Sequence, residues 1–264
     1  MKSKLIPFVL CYLFLSCNNP EDAVLTISDS TENIITYSND LLREGKNAEA
    51  LHYLDSASRA LSNQNHLDQW YKYRMLMNYY INYEIDIKKA TLYNDSMFLA
   101  LKGKSLVNKL EYAQTLFGRG DIYKADQKLT EAFKDYYDGR AFATKYLNPC
   151  DCSDFTNKLG LIRFAQHQYK QAITYFKLAL SENSQCDKTQ NLIVNFILPQ
   201  STLNSIAFSH EQLNMLDSAA IFYKQALSSI DRNSTQKRLH TKCKRSSIWQ
   251  LGWTIPQAKQ HNPS

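Results

Sequence analysis

Six cysteines, six histidines and one Gly-Lys-Ser triplet are the residues of this chain most able to do chemistry. Cys150 and Cys152 stand two apart, and with Cys186 and His167 they could supply the three or four soft ligands that zinc takes. In an oxidising compartment the same cysteines would pair as a disulfide, and that reading is preferred. His52, His66, His167, His210, His240 and His261 are scattered at spacings that define no shared site, so surface or packing roles are expected for them. Gly103-Lys104-Ser105 has the residues that close a phosphate-binding loop, but position 98, where that loop needs glycine, is Phe98. A helix-terminal turn is expected there instead. The chain has no His-Glu-x-x-His, no glycine-rich phosphate loop and no nucleophile elbow. The expectation is a protein that is not an enzyme, with no catalytic residues, no cofactor and no metal.

The elements that would position these side chains are written in a repeat. A small residue is followed 12 positions later by alanine, then 4 later by a mostly bulky residue and 3 later usually by a small one. Gly160, Ala172, Phe176 and Ala179 show it, as do Ala207, Ala219, Tyr223 and Ala226, and Gly120, Ala132, Tyr136 and Gly139. Ser38, Ala50, Leu54 and Ala57 keep the spacing, whereas Asn78, Ala90, Asn94 and Met97 hold only the alanine. Offsets of 4 and 3 lie on one stripe of a helix. The 12-residue gap needs a second, antiparallel helix, with small side chains where the two cross closely. One hairpin cannot bury its apolar faces alone, so five should stack, with nearest-neighbour stability and ends that fray first.

Periodicity and turn residues predict helices near 31 to 43, 47 to 62, 68 to 84, 86 to 102, 105 to 125, 127 to 147, 153 to 167, 169 to 183, 188 to 213 and 216 to 230. No strand pattern is present, and 7 Gly and 6 Pro in 264 residues fit an all-α chain with short turns. Pro199 should kink the ninth helix or begin a new one at its first turn. Most of the 17 tyrosines are expected in the core.

From about residue 31 to 230 this pattern resembles the tetratricopeptide repeat (TPR) family, whose small-8, Ala-20, aromatic-24, Ala-27 positions the quoted residues match. The alanines Ala50, Ala90, Ala132, Ala172 and Ala219 advance by 40, 42, 40 and 47, longer than the usual 34, so the helices or turns must be longer. The resemblance implies a superhelical solenoid whose concave face is formed by positions 2, 5, 9 and 12 of each first helix. Carried over, that face is Lys72, Met75, Tyr79 and Asn82; Gln114, Phe117, Asp121 and Lys124; Asp154, Asn157, Leu161 and Phe164; and Ser201, Asn204, Phe208 and Glu211. Amides, charges and aromatics in that mixture suit recognition of a peptide. Bulky replacements of Asn157 and Asn204 are expected to block capture without unfolding.

Residues 1 to 16 carry Lys2 and Lys4 and then an apolar run from Leu5 to Leu15, the form of a secretory signal and too short to span a bilayer comfortably. Leu13-Phe14-Leu15-Ser16-Cys17 resembles the lipobox of bacterial lipoproteins, which implies cleavage before Cys17 and acylation of its thiol. Two or more acyl chains would hold the protein at the membrane. Residues 17 to 30 begin with polar, turn-prone Asn18-Asn19-Pro20-Glu21-Asp22 and read as a tether. The absence of Asp directly after Cys17 resembles an outer-membrane sorting signal, so an envelope lipoprotein facing the periplasm is expected.

Export leaves Cys150, Cys152, Cys186 and Cys243. Cys152 is placed just before the first helix of repeat four and Cys186 just after its second, ends that antiparallel packing brings together. A bridge from Cys186 to Cys152 or to Cys150 would fit. The repeat domain is set at 31 to 231, and a basic irregular tail at 232 to 264. That tail holds seven Lys and Arg and no acid, so of the net charge of +6 the first 231 residues carry −1. It has no sustained apolar stripe, and is either a genuine extension or the product of a reading frame lost after repeat five. A basic tail suits anionic lipid headgroups, and export argues against nucleic acid.

The lipobox, the tether, the long hairpins, "KLGLIRFAQHQYKQAITYFKLAL", Cys186 and "STLNSIAFSHEQLNMLDSAAIFYKQAL" together resemble the extracytoplasmic sensor region of TPR-containing two-component histidine kinases. A membrane span, a phosphoacceptor His motif and the ATP-binding glycine boxes are missing, so no kinase activity is implied. The expected function is a non-catalytic scaffold for a protein, peptide or other ligand, in a sensory or adaptor role. An outer-membrane assembly scaffold and a glycan-capturing lipoprotein are the alternatives.

Overall fold

The computed structural model describes residues 26–186 and 197–234. The signal, Cys17, most of the tether and nearly all of the basic tail lie outside them. Ten helices run along the described chain: α1 (Asp29–Arg43), α2 (Asn47–Ala60), α3 (His66–Asn82), α4 (Ile87–Ala100), α5 (Lys109–Ala125), α6 (Leu129–Tyr146), α7 (Pro149–Ala165), α8 (Tyr169–Asn183), α9 (Leu198–Gln212) and α10 (Leu216–Ser234). They pair in chain order as five hairpins, and each hairpin packs on the next. No strand occurs among the described residues. The fold is the all-α solenoid that the repeat predicted.

The repeat positions have a direct physical reading. A Cβ built on Gly120 would come 2.5 Å from the Tyr136 ring, and one on Gly160 would come 2.5 Å from Phe176. The small residue of each first helix thus makes room for the large residue of its own second helix. Ala50, Ala90, Ala132, Ala172 and Ala219 are all buried at the crossing. Repeat two breaks the pattern without losing its core. Asn94 takes the aromatic slot, buried, and donates from Nδ2 to the Thr115 carbonyl at 3.0 Å, while Trp70 donates from Nε1 to Thr115 Oγ1 at 2.8 Å. The donors of this buried cluster find acceptors, which is what makes it tolerable, while Asn94 Oδ1 has no partner among the described residues.

The turns inside the hairpins share one device. Gly45, Ile85, Gln127, His167 and Asn214 all have positive φ, between 53° and 76°, and each stands five residues before its repeat's alanine. In four of the five, the next residue donates its N–H to a carbonyl five back, as in Lys128 to Tyr123 at 2.8 Å and Gln168 to Arg163 at 2.8 Å. This is the left-handed helix stop that satisfies the last carbonyls.

Two helix starts lie more than two residues from expectation, and the expected start of a third falls outside the described residues. The α5 helix begins at Lys109 and not at 105, because residues 101–108 form successive turns through Gly103, whose φ is +73°. Gly103-Lys104-Ser105 is a turn, as expected. The α7 helix begins at Pro149, capped by Asn148, whose side chain accepts from the Asp151 N–H at 3.0 Å. Cys150 and Cys152 are therefore inside its first turn and not before it. The α9 helix begins at Leu198, with Pro199 in its first turn, where a missing N–H costs little; the expected stretch from 188 to 196 lies outside the described residues.

Candidate functional site

The first helices α1, α3, α5, α7 and α9 touch one another in series and form the inner surface of the solenoid. Placement of the residues expected there divides them. Gln114, Asp121, Asp154, Leu161, Phe164, Ser201 and Asn204 are half-buried, and Lys124, Phe208 and Glu211 are exposed. Met75, Tyr79, Phe117 and Asn157 are instead core residues. Asn157 is 0 % exposed and accepts from Thr202 Oγ1 at 3.1 Å, so a bulky side chain there would break the α7–α9 packing rather than test a surface. Half-buried Lys72 turns to Asp55 of α2, 3.3 Å away, and Asn82 donates to the carbonyl of Asn78 at 2.8 Å. Glu211 is held by the Tyr223 hydroxyl at 2.9 Å.

On α3 the inward residues are Tyr71, Arg74 and Asn78, each one position before the expected Lys72, Met75 and Tyr79. One residue is a rotation of about 100° on a helix, enough to exchange a lining position for a core one. With Glu32, Ile35, Thr36 and Asn39 of α1 they border a cavity of about 240 Å³ whose floor is Leu42, Met75 and Tyr79. Asn78 occupies the small slot of the weakest repeat, the one signal in the sequence that α3 is turned differently.

Charges along the groove are mostly paired. Lys158 donates to both carboxylate oxygens of Asp121 at 2.6 and 2.8 Å, the Tyr136 hydroxyl donates to the same carboxylate at 2.5 Å, and the Lys158 ammonium lies 4.4 Å from the Phe117 ring centre. Burial, reinforced by Asp121, pushes the Tyr136 phenol well above its ordinary pKa. Two groups stand apart. Arg74 has no carboxylate within 4.0 Å among the described residues and rests 5.4 Å from the Trp70 ring centre. Burial lowers its pKa, against the pull of Tyr71, Asp154, Glu111 and Asp121. Asp154 Oδ1 is buried with no hydrogen-bond partner; burial raises its carboxyl, with Lys158 and Arg74 pulling the other way.

Further along, Phe164 of α7 stacks on Phe208 of α9 with ring centres 5.2 Å apart, and Phe208 stays 45 % exposed. This pair came from the carried-over positions and is the part of that set that remains open and aromatic.

The three described cysteines resolve as one bridge and one thiol. Cys150 and Cys186 are bonded, with Cα atoms 4.9 Å apart, joining the start of α7 to the end of α8. Residues two apart on a helix point about 200° apart, so only one of Cys150 and Cys152 can face Cys186. Cys152 is buried and free; burial raises its pKa, which keeps it a thiol and unreactive. With Cys150 and Cys186 bonded, the zinc alternative loses two of its ligands, and no group of three or more His, Cys, Asp or Glu among the described residues could hold a metal. His66 meets Asn108 at 2.7 Å, His167 meets the Tyr169 hydroxyl at 2.7 Å, and His210 is buried against Phe222. No helix among the described residues is long and apolar enough to cross a membrane.

No family model matches this sequence. No curated protein matches it either. Solved structures do. BtubC (BKLC) from P. vanneervenii is similar at a TM-score of 0.64 and 14 % identity, over 77 % of this chain and 80 % of that one. A signal transduction ATPase with numerous domains (STAND), with a tetratricopeptide repeat sensor, from Pyrococcus horikoshii, matches at 0.59 and 15 % identity over 80 % of this chain and 31 % of its own. A putative kinesin light chain from Podosopora anserina with TPR-like repeats matches at 0.53 and 12 % identity, over 78 % of this chain and 96 % of that one. At such identities the likeness establishes the fold: a TPR-like helical solenoid.

Proposed function

We propose that this chain is a non-catalytic scaffold that holds a peptide or protein segment in its inner groove. It is exported, acylated at Cys17 and placed in the cell envelope as a sensory or adaptor module. The observation that carries the reading is the groove itself. Its charges and its Phe164–Phe208 pair line an inner surface along which the first helices touch in series, and part of it is left open. Surfaces with a few exposed aromatics beside fixed polar groups are those that bind segments tightly. The Pyrococcus structure of like fold carries its repeats as a sensor, in agreement with this use of the architecture. The lipobox-like Cys17 and the basic tail both support a membrane surface as the place of work.

A photoreactive amino acid placed at Phe208 should form adducts with a partner in intact cells, and one placed at Leu92, exposed on α4 away from the groove, should not. Equal labelling from both positions would reject the groove. Replacing Cys17 by Ser should move the protein out of the membrane fraction; a protein that stays there has another anchor.

A further inference from the structure

Ion pairs take up most of the half-buried charges in this solenoid. Lys158 is matched to Asp121, Arg119 to Asp135 and Arg140 to Glu182, all within 2.7 Å. Arg74 and Asp154 are not matched, although both belong to the inner surface. Each is desolvated, each lies in the field of the other, and the gap between them exceeds the 4.0 Å of an ion pair. Among the described residues Asp154 Oδ1 has no donor. A buried carboxyl oxygen left so is costly, which makes it the polar atom of the groove most in need of an explanation.

The surroundings exclude a simple ion at either end. An anion beside Arg74 alone would also meet Asp154, Glu111, Asp121 and the Glu32 that lines the same cavity, of which only Asp121 is neutralised, by Lys158. A cation beside Asp154 alone would meet Lys158 and Arg74. A ligand with both charges is favoured at both ends. We infer that Arg74 and Asp154 are the two poles of a site for a short zwitterionic ligand, an oligopeptide with free ends, its carboxylate on Arg74 and its ammonium on Asp154. The inference rests on the proposal that the groove holds peptides and says which kind. Beside Arg74, the cavity of about 240 Å³ receives the side chain next to the carboxylate against Ile35, Leu42 and Met75. That volume is below the range of sites that enclose a drug-sized molecule, so it suits one side chain. Asn39 and Asn78 line the same cavity and offer N–H donors to the second carboxylate oxygen.

The test is calorimetric titration of the whole chain with alanine oligomers of increasing length ending in leucine, each with free ends, with the amino end acetylated, or with the carboxyl end amidated. One length should bind best, and blocking either end should weaken it at least tenfold. Asp154→Asn should remove the sensitivity to acetylation and keep that to amidation; Arg74→Gln should do the reverse. Comparisons of blocked and free peptides on the unaltered protein do not depend on how the variants fold. Equal binding of blocked and free peptides overturns the inference. So does an absence of binding at every length. If Phe208 still labels a partner in either case, the two-pole site is wrong and the groove stands; if labelling is lost too, both fall.

Discussion

Tyr79 falls among the residues expected on the ligand surface but is a core side chain, 2 % exposed, whose hydroxyl donates to the carboxylate of Glu84 at 2.6 Å. Burial and that hydrogen bond hold its phenol up to about 12. A phenol that stays neutral in the fold and ionises earlier when unfolded adds stability that is fully present below its ordinary value of about 10. That stability is lost as pH rises through the folded value. Urea midpoints measured from pH 9 to 12 should therefore fall, and Tyr79→Phe should fall less steeply. At pH 8 the variant should be less stable by about 1 kcal/mol, the worth of one ordinary hydrogen bond. Parallel curves for the two proteins would show that Tyr79 ionises freely in the fold. The mistaken assignment has a physical source: offsets carried from a 34-residue repeat were set on helices of a longer one, and a single-residue shift exchanged Arg74 for Met75.

Among the elements, the helices were legible because alanine, small and large residues recur at the crossings, whatever the rest of the repeat does. Where prediction and structure part, local backbone chemistry decides. Asn148-Pro149 starts α7 early by capping and a fixed φ, and Gly103 delays α5 by turning the chain. Most of the five left-handed turn residues were not legible, since only Gly45 and, more weakly, Asn214 announce themselves. Ile85 is the most strained of them: a β-branched residue at φ 53°, with its side chain 71 % exposed and packing little. Ile85→Gly removes a conformational cost of about 1–2 kcal/mol and adds the larger unfolded entropy of glycine, a penalty of about 0.5–1 kcal/mol. The net expected gain is about 0.5–1 kcal/mol, read as a higher denaturant midpoint at an unchanged slope. A loss of stability would mean that the turn is not left-handed in solution.

At the scale of the whole solenoid, the joins between repeats are unequal. The α6 helix packs broadly on α7 and α8 broadly on α9, whereas repeat one meets repeat two chiefly through α1 and α3. That narrow seam is held by polar contacts at its edge. Asp68, in the first turn of α3, accepts from the Ser28 N–H and the Ser28 hydroxyl at 2.8 Å each, and from the Asn65 N–H at 2.9 Å. Burial alone would raise the Asp68 carboxyl; these donors outweigh it and hold its pKa below the usual carboxylate value. A carboxylate of that kind stabilises the fold above its ordinary pKa of about 3.9, and the contribution disappears as pH falls through the lowered one. In a linear array the loss stays local, since each repeat answers to its neighbours. Hydrogen exchange of the whole chain should therefore show α1 and α2 losing protection as acid is added, before α5 to α8 do. Asp68→Asn should show weak protection of α1 and α2 already at pH 7, with little further change in acid. Uniform loss along the chain would mean that the seam is no weaker than the other joins. Because the cavity beside Arg74 lies across this same seam, α1 and α3 must be docked for it to exist, and whatever fills it should slow exchange in α1 and α2 most.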